Sequence, residues 1–154
     1  MTNEVEHARY IRHCIALARQ ALLTNDTPVG SLIVRGDQVI AEGIEAVRGL
    51  CDVTAHAEIQ ALRTAFVQLK SRELTGCTLY TSVEPCVMCA YAIRLAGVSV
   101  VVSGTRPADM SARINGQTVL SDATIVPSRP VPLVIRDVLE PECRALFVER
   151  QLMR

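Results

Sequence analysis

The chain has 154 residues, 49% of them apolar and 21% charged, enough for one ordinary globular domain with a buried core. Lys plus Arg balance Asp plus Glu, 16 against 16, so the sequence as a whole exerts no pull toward polyanions, and nucleic acid is the less expected partner. The polar start MTNEVEHARY is not a secretory leader, and Arg94, Gly97 and Ser99 interrupt the longest apolar run, 86–102; no membrane span is expected, and the cytoplasm is the expected compartment.

From Glu4 to Leu23, Val5, Ala8, Ile11 or Tyr10, Ile15, Ala18 and Leu22 recur at steps of three and four, which predicts an amphipathic helix. Arg9, Arg12, His13 and Arg19 lie mostly off that stripe, and His7 and His13 are taken as surface residues. Asn25-Asp26-Thr27-Pro28 ends the helix. Leu32-Ile33-Val34 and Val39-Ile40-Ala41 flank a turn at Arg35-Gly36-Asp37 and predict a β-hairpin. After a loop from Ala46 to Val53, a second helix runs from Ala55 to Leu69, with Ile59, Leu62, Phe66 and Leu69 on one face. Cys77 to Thr81 is a strand, Cys86 to Ala96 a third helix and Val98 to Val102 a β-branched strand. The polar stretch from Arg106 to Pro132 is too long for an idle loop and is expected to cover a site and to hide a short helix. Leu133-Val134-Ile135 is a last strand, and Pro141 opens a C-terminal helix. Helices alternating with short apolar strands imply an α/β fold with helices on both faces of a sheet.

Six cysteines, Cys14, Cys51, Cys77, Cys86, Cys89 and Cys143, are too loosely spaced for a disulfide framework in a chain without an export signal. Cys86 and Cys89 are the exception. Together with His56 they offer two thiolates and an imidazole, the donors that zinc prefers. Three ligands leave a fourth position for water, as a catalytic site requires. Three residues apart at a helix start, the two cysteines point to one side, and Pro85 fixes the entry. A helix N-terminus also favours thiolate over thiol. His56 and Glu58 are two apart and would diverge in mid-helix, so the site requires both in a first turn, with the metal off the helix end. A redox pair would leave His56-Ala57-Glu58 unexplained. A closed structural site would need a fourth ligand, for which Cys51, Cys77, Cys143, His7 and His13 are the candidates. In the catalytic reading Glu58 moves the protons: it takes them from water and delivers one to a ring nitrogen and one to the leaving ammonia.

The pattern His56-x-Glu58 followed by Pro85-Cys86-x-x-Cys89 resembles the cytidine-deaminase-like zinc deaminase superfamily. Asp52 to Ile59 and Thr78 to Cys89 look like its tRNA adenosine deaminase and guanine deaminase branch. Thr27-Pro28-Val29-Gly30 looks like the family's first hairpin, and Val138 to Cys143 is similar to the C-terminal helix start of the tRNA enzymes. The resemblance implies that residues 1–154 form a single zinc-dependent deaminase domain. Its fold would be a three-layer α/β/α arrangement around a central mixed five-stranded sheet. It also implies one zinc ion with a bound water or hydroxide, and a homodimer. The backbone near Ala57 and the turn at Glu84-Pro85 would touch the substrate ring. Apart from the resemblance, Asp109 in the covering segment is a candidate substrate contact, the alternative being an exposed Asp that contacts nothing.

One position departs from the branch. Eleven residues before the zinc histidine the branch has an Asn that binds base or sugar; here it is Glu45. An Asn side chain both donates and accepts, whereas an ionised Glu only accepts. Glu45 either points to water or enters the pocket, where it favours a ring edge rich in N–H donors, as in guanine, aminotriazines or aminopyrimidines. The expected function is hydrolytic deamination of a free nucleobase, nucleoside or related amino-heterocycle. The alternative is a tRNA adenosine deaminase, which would need a one-sided basic surface built from residues such as Arg106, Arg113, Arg129, Arg150 and Arg154. Two Phe, three Tyr and no Trp supply little for base stacking. A non-catalytic module would be expected to have lost Glu58.

Overall fold

A computed structural model describes residues 4–106 and 116–153. Five strands form one mixed sheet in the order β2-β1-β3-β4-β5. β1 (Gly30–Arg35) and β2 (Gln38–Ile44) are the expected hairpin, closed by Gly36-Asp37 with Arg35 opposite Gln38. β3 (Cys77–Val83) pairs antiparallel with β1 and parallel with β4 (Val100–Thr105), which runs parallel to β5 (Leu133–Ile135). Parallel strands buried on both faces read as continuous apolar runs, and Val100-Val101-Val102 is such a run.

Helices cover both faces. α1 (Glu4–Leu22) packs on β1 and β3 beside α5 (Glu140–Leu152), around Ile11, Cys14, Ile15, Leu32, Tyr80, Val102 and Leu146. α2 (Ala57–Leu69) and α3 (Val87–Ala96) cover the opposite face, where Ile33, Leu62, Leu79, Ile93 and Val101 make the larger core. This is the three-layer α/β/α arrangement expected from the sequence.

Two local readings are corrected. His7 is 7% exposed, and its Nδ1 lies 3.0 Å from Tyr80 Oη. The inward stripe of α1 starts at His7 and Tyr10, one turn before Ile11 and Cys14, while Val5 is exposed. A polar ring can occupy the stripe because the tyrosine satisfies it. His13 is half-buried and pairs with Glu42 at 2.7 Å. All six cysteines are free; Cys14, Cys77, Cys89 and Cys143 are buried and Cys51 is exposed.

The stretch from Arg106 to Pro132 does contain a short helix, α4 (Gly116–Ser121), packed against α3. The guanidinium of Arg94, 1% exposed, donates to the carbonyls of Val119, Leu120, Asp122 and Val126. Asp109 lies outside the described residues.

Candidate active site

The helices α2 and α3 start side by side. His56 is the N-cap of α2 and Cys86 the N-cap of α3, both in extended backbone, so their side chains project off the helix ends. Glu58 lies in the first turn of α2 and Cys89 in the first turn of α3. The sequence-based requirement that His56 and Glu58 share a first turn is therefore met. The helix of residues 57–69 begins two residues later than the periodicity alone indicates, because His56 caps it rather than joining it.

His56 Nδ1 lies 3.6 Å from Cys86 Sγ and 3.5 Å from Cys89 Sγ. Tetrahedral zinc with bonds of about 2.3 Å to sulfur and about 2.0 Å to nitrogen places such donors about 3.5 Å apart. The donor set and its spacing fit zinc. Cys51 points its thiol at the Arg48 carbonyl, and the group formed by His56, Cys86 and Cys89 takes in none of the other candidate ligands. Three ligands leave a position for water.

The electrostatics prepare these ligands. A hydrogen bond from Cys89, with the His56 contact, pulls the Cys86 thiol down to about 4. The Cys86 contact raises His56 to about 9, and proton sharing with Cys86 together with burial pushes Cys89 up. Without metal, Cys86 and His56 form a thiolate–imidazolium pair, and metal binding displaces the remaining protons.

Glu58 is 3% exposed, and burial raises its carboxyl to about 7. Cys89 Sγ lies 3.5 Å from its Oε2, so the single thiol proton of Cys89 faces both Glu58 and Cys86. Thr81 Oγ1 lies 3.2 Å from Oε1 and 2.9 Å from the Val83 carbonyl. A hydroxyl has one proton to give. With Glu58 protonated, Glu58 donates to Thr81 and Thr81 to Val83; with Glu58 ionised, Thr81 turns to it. Thr81 is a hydrogen-bond partner of Glu58 that no sequence signal marked.

Glu45 faces the site, not water. It is 6% exposed, its Oε2 accepts the Ala57 amide at 3.0 Å, and burial raises its carboxyl. Its carboxylate, His56 and Glu58 have ligating atoms within 4.8 Å of one another. Ala57 is buried and presents its N–H to Glu45. Glu84 lines the site with its carboxylate held by Arg136 and, at 3.3 Å, by Arg106. Pro85 is buried; a Cβ on Gly116 would come within 2.0 Å of its carbonyl oxygen, so the start of α4 abuts the entry to α3.

These residues open on a cavity of about 920 Å³. Its described lining includes Val29, Glu45, His56, Glu58, Val83, Glu84 and Cys86. Asp26, Thr27, Val47, Arg48, Arg106, Arg144, Phe147, Arg150 and Gln151 also line it. Apart from Arg150, sequence reasoning missed the contribution of α5. Its residues 144, 147 and 151 share one face, but nothing in their types distinguishes that face from a solvated one. Of the arginines expected for a basic surface, Arg106 and Arg150 line the cavity, Arg129 pairs with Glu73 away from it, and Arg113 and Arg154 lie outside the described residues.

Residues 4–105 match the cytidine and deoxycytidylate deaminase zinc-binding region. A tRNA-specific adenosine deaminase of Aquifex aeolicus is 36% identical over 93 residues, 60% of this chain and 62% of that protein. The guanine deaminase of Bacillus subtilis is 39% identical over 90 residues, 58% of either chain. The chain thus spans about three fifths of the length of these relatives. Among solved structures, a tRNA:A34 deaminase that edits A to I at the wobble position superposes with a TM-score of 0.77 at 33% identity, covering 86% of this chain and 94% of that one. The guanine deaminase of Nitrosomonas europaea gives 0.77 at 26% identity, covering 92% and 82%. The match runs from α1 through β4 and takes in all three candidate ligands and Glu58, and the chain belongs to the cytidine and deoxycytidylate deaminase zinc-binding family.

Proposed function

We propose that the protein is a zinc-dependent hydrolase that releases ammonia from a free nucleobase, nucleoside or related amino-heterocycle. The observation that carries this reading is the buried Glu58 carboxyl in the cavity wall beside His56, Cys86 and Cys89. Zinc held by those three residues would supply a polarised water whose pKa falls toward ~7. Glu58 takes a proton from water and gives protons to the ring nitrogen and to the departing amine, so that ring–NH2 and H2O become ring=O and NH3. Val29, Val83 and Phe147 offer apolar surface for a flat ring. A homodimer accompanies this reading, supported by Met88, Tyr91 and Leu95, which lie exposed on one face of α3.

A second reading, deamination of adenosine in tRNA, is favoured by the four arginines around the cavity, since guanidinium forks suit phosphates. Two of them already have carboxylate partners: Arg106 with Glu84 and Arg144 with Glu140. The net charge of zero also adds no long-range attraction. Ammonia release by the zinc-loaded protein, measured over free bases, nucleosides, aminotriazines and tRNA with Glu58→Gln as the blank, decides between them. Release from a small ring supports the first reading; release from tRNA alone overturns it.

A further inference from the structure

Glu45 is pinned more firmly than a surface carboxylate. Its amide donates to the Val29 carbonyl at 3.1 Å, and the next amide, Ala46, donates to Ala55 at 2.9 Å. These bonds fix the chain where it leaves β2 and aim the side chain at the start of α2. There Oε2 takes the Ala57 amide, and the second oxygen has no hydrogen-bond partner among the described residues. The residue nonetheless lines the cavity beside Glu58.

We infer that Glu45 selects the substrate by its hydrogen-bond donors: the accepted ring presents an amino group or ring N–H, not a carbonyl, at the edge next to the carbon that is attacked. This rests on the small-ring reading above. Two features of the geometry lead to it. The Ala57 amide, a donor that could hold a ring carbonyl, is occupied by Glu45. What Glu45 offers in its place is a carboxylate oxygen. A carbonyl set against it would bring two acceptors together and leave the ring oxygen unpaired in a buried site, whereas an amino group satisfies both sides. The 4.8 Å span that holds Glu45, His56 and Glu58 is within the width of one ring, so a ring poised at Glu58 reaches Glu45 with a neighbouring edge.

The test uses zinc-loaded Glu58→Gln protein, in which binding is separated from turnover, titrated by calorimetry with ring pairs that differ at one edge. The pairs are adenine with 2,6-diaminopurine, and cytosine with 2,4-diaminopyrimidine. The diamino member of each pair should bind roughly tenfold to a hundredfold more tightly, the range for a hydrogen bond to a charged group. Adding Glu45→Gln keeps an acceptor for the Ala57 amide but turns an NH2 toward the ring, and should erase or invert the ratio. Glu45→Asn should erase it. Equal binding of both members, or a ratio unchanged by Glu45→Gln, overturns the inference while leaving the deaminase reading intact if wild-type protein releases ammonia. No binding and no ammonia from any ring overturns both. If neither Glu45 variant retains zinc, the ratio for the Glu58→Gln protein alone decides.

Discussion

At the scale of single residues, the chemistry depends on buried groups held at unusual proton affinities. In the proposed reaction Glu58 handles every proton transferred, so Glu58→Gln should lower kcat by about 10²–10⁴, the span of general acid–base catalysis, while zinc content stays near one per chain. Burial raises its carboxyl from 4.5 to about 7. Between those values the folded metal-free protein binds more protons at Glu58 than the unfolded chain does, so this residue's contribution to stability falls as pH rises through that window. Comparing the pH dependence of thermal unfolding in metal-free wild type and Glu58→Gln isolates that slope, which should vanish in the variant. The thiolate of Cys86, held near 4, gives another readout. With zinc removed, Cys86 should be alkylated by iodoacetamide at pH 6, while zinc-loaded protein should be protected there; peptide mass spectrometry locates the adduct.

At the scale of elements, the site depends on how closely β2 and α2 approach. A Cβ on Gly43 would come within 1.9 Å of the Ala57 carbonyl and 2.6 Å of the Ala61 amide, both backbone atoms that cannot turn aside. Gly43→Ala should cost about 1–3 kcal/mol by overpacking. It should also displace the start of α2 and with it His56, lowering zinc affinity as well as stability; denaturant unfolding and metal competition measure the two effects. On the other side of the site, Arg94 ties α3 to the carbonyls at the end of α4. Arg94→Met would remove the guanidinium donor from the Val119 and Leu120 carbonyls, at about 1–3 kcal/mol for each one that water cannot reach, while the Asp122 carbonyl keeps the Ile125 amide. Hydrogen exchange should quicken across 116–126 before it changes in the sheet.

At the scale of the whole molecule, a zinc ion held by His56, Cys86 and Cys89 would join two helices whose N-termini lie side by side, and so should act as a staple. Zinc at a thousandfold excess over its Kd would add about 4 kcal/mol to stability, and for a chain of this size that raises Tm by roughly 10 °C. A calorimetric scan with and without a chelator measures it, and an unchanged Tm would mean that the three ligands do not hold the metal as a unit. Charge is also arranged across the molecule. Carboxylates are buried at the inner wall of the cavity and guanidiniums lie exposed or half-buried around it, although the chain is neutral overall.

Much of this was legible in the sequence because it is local. The steps of three and four in α1, the β-branched run of β4 and the turn at Gly36-Asp37 report backbone preference directly. Cys86-x-x-Cys89 and His56-x-Glu58 report ligands that a helix start must present together. Periodicity failed where one polar residue finds a partner far along the chain, as His7 does with Tyr80 across 73 residues. The direction of Glu45, the hydrogen bond of Thr81 to Glu58, the two arginines holding Glu84 and the wall built by α5 were settled only by tertiary structure. Each depends on a contact between segments distant in sequence, and residue type does not encode which of its possible partners the fold will bring within reach.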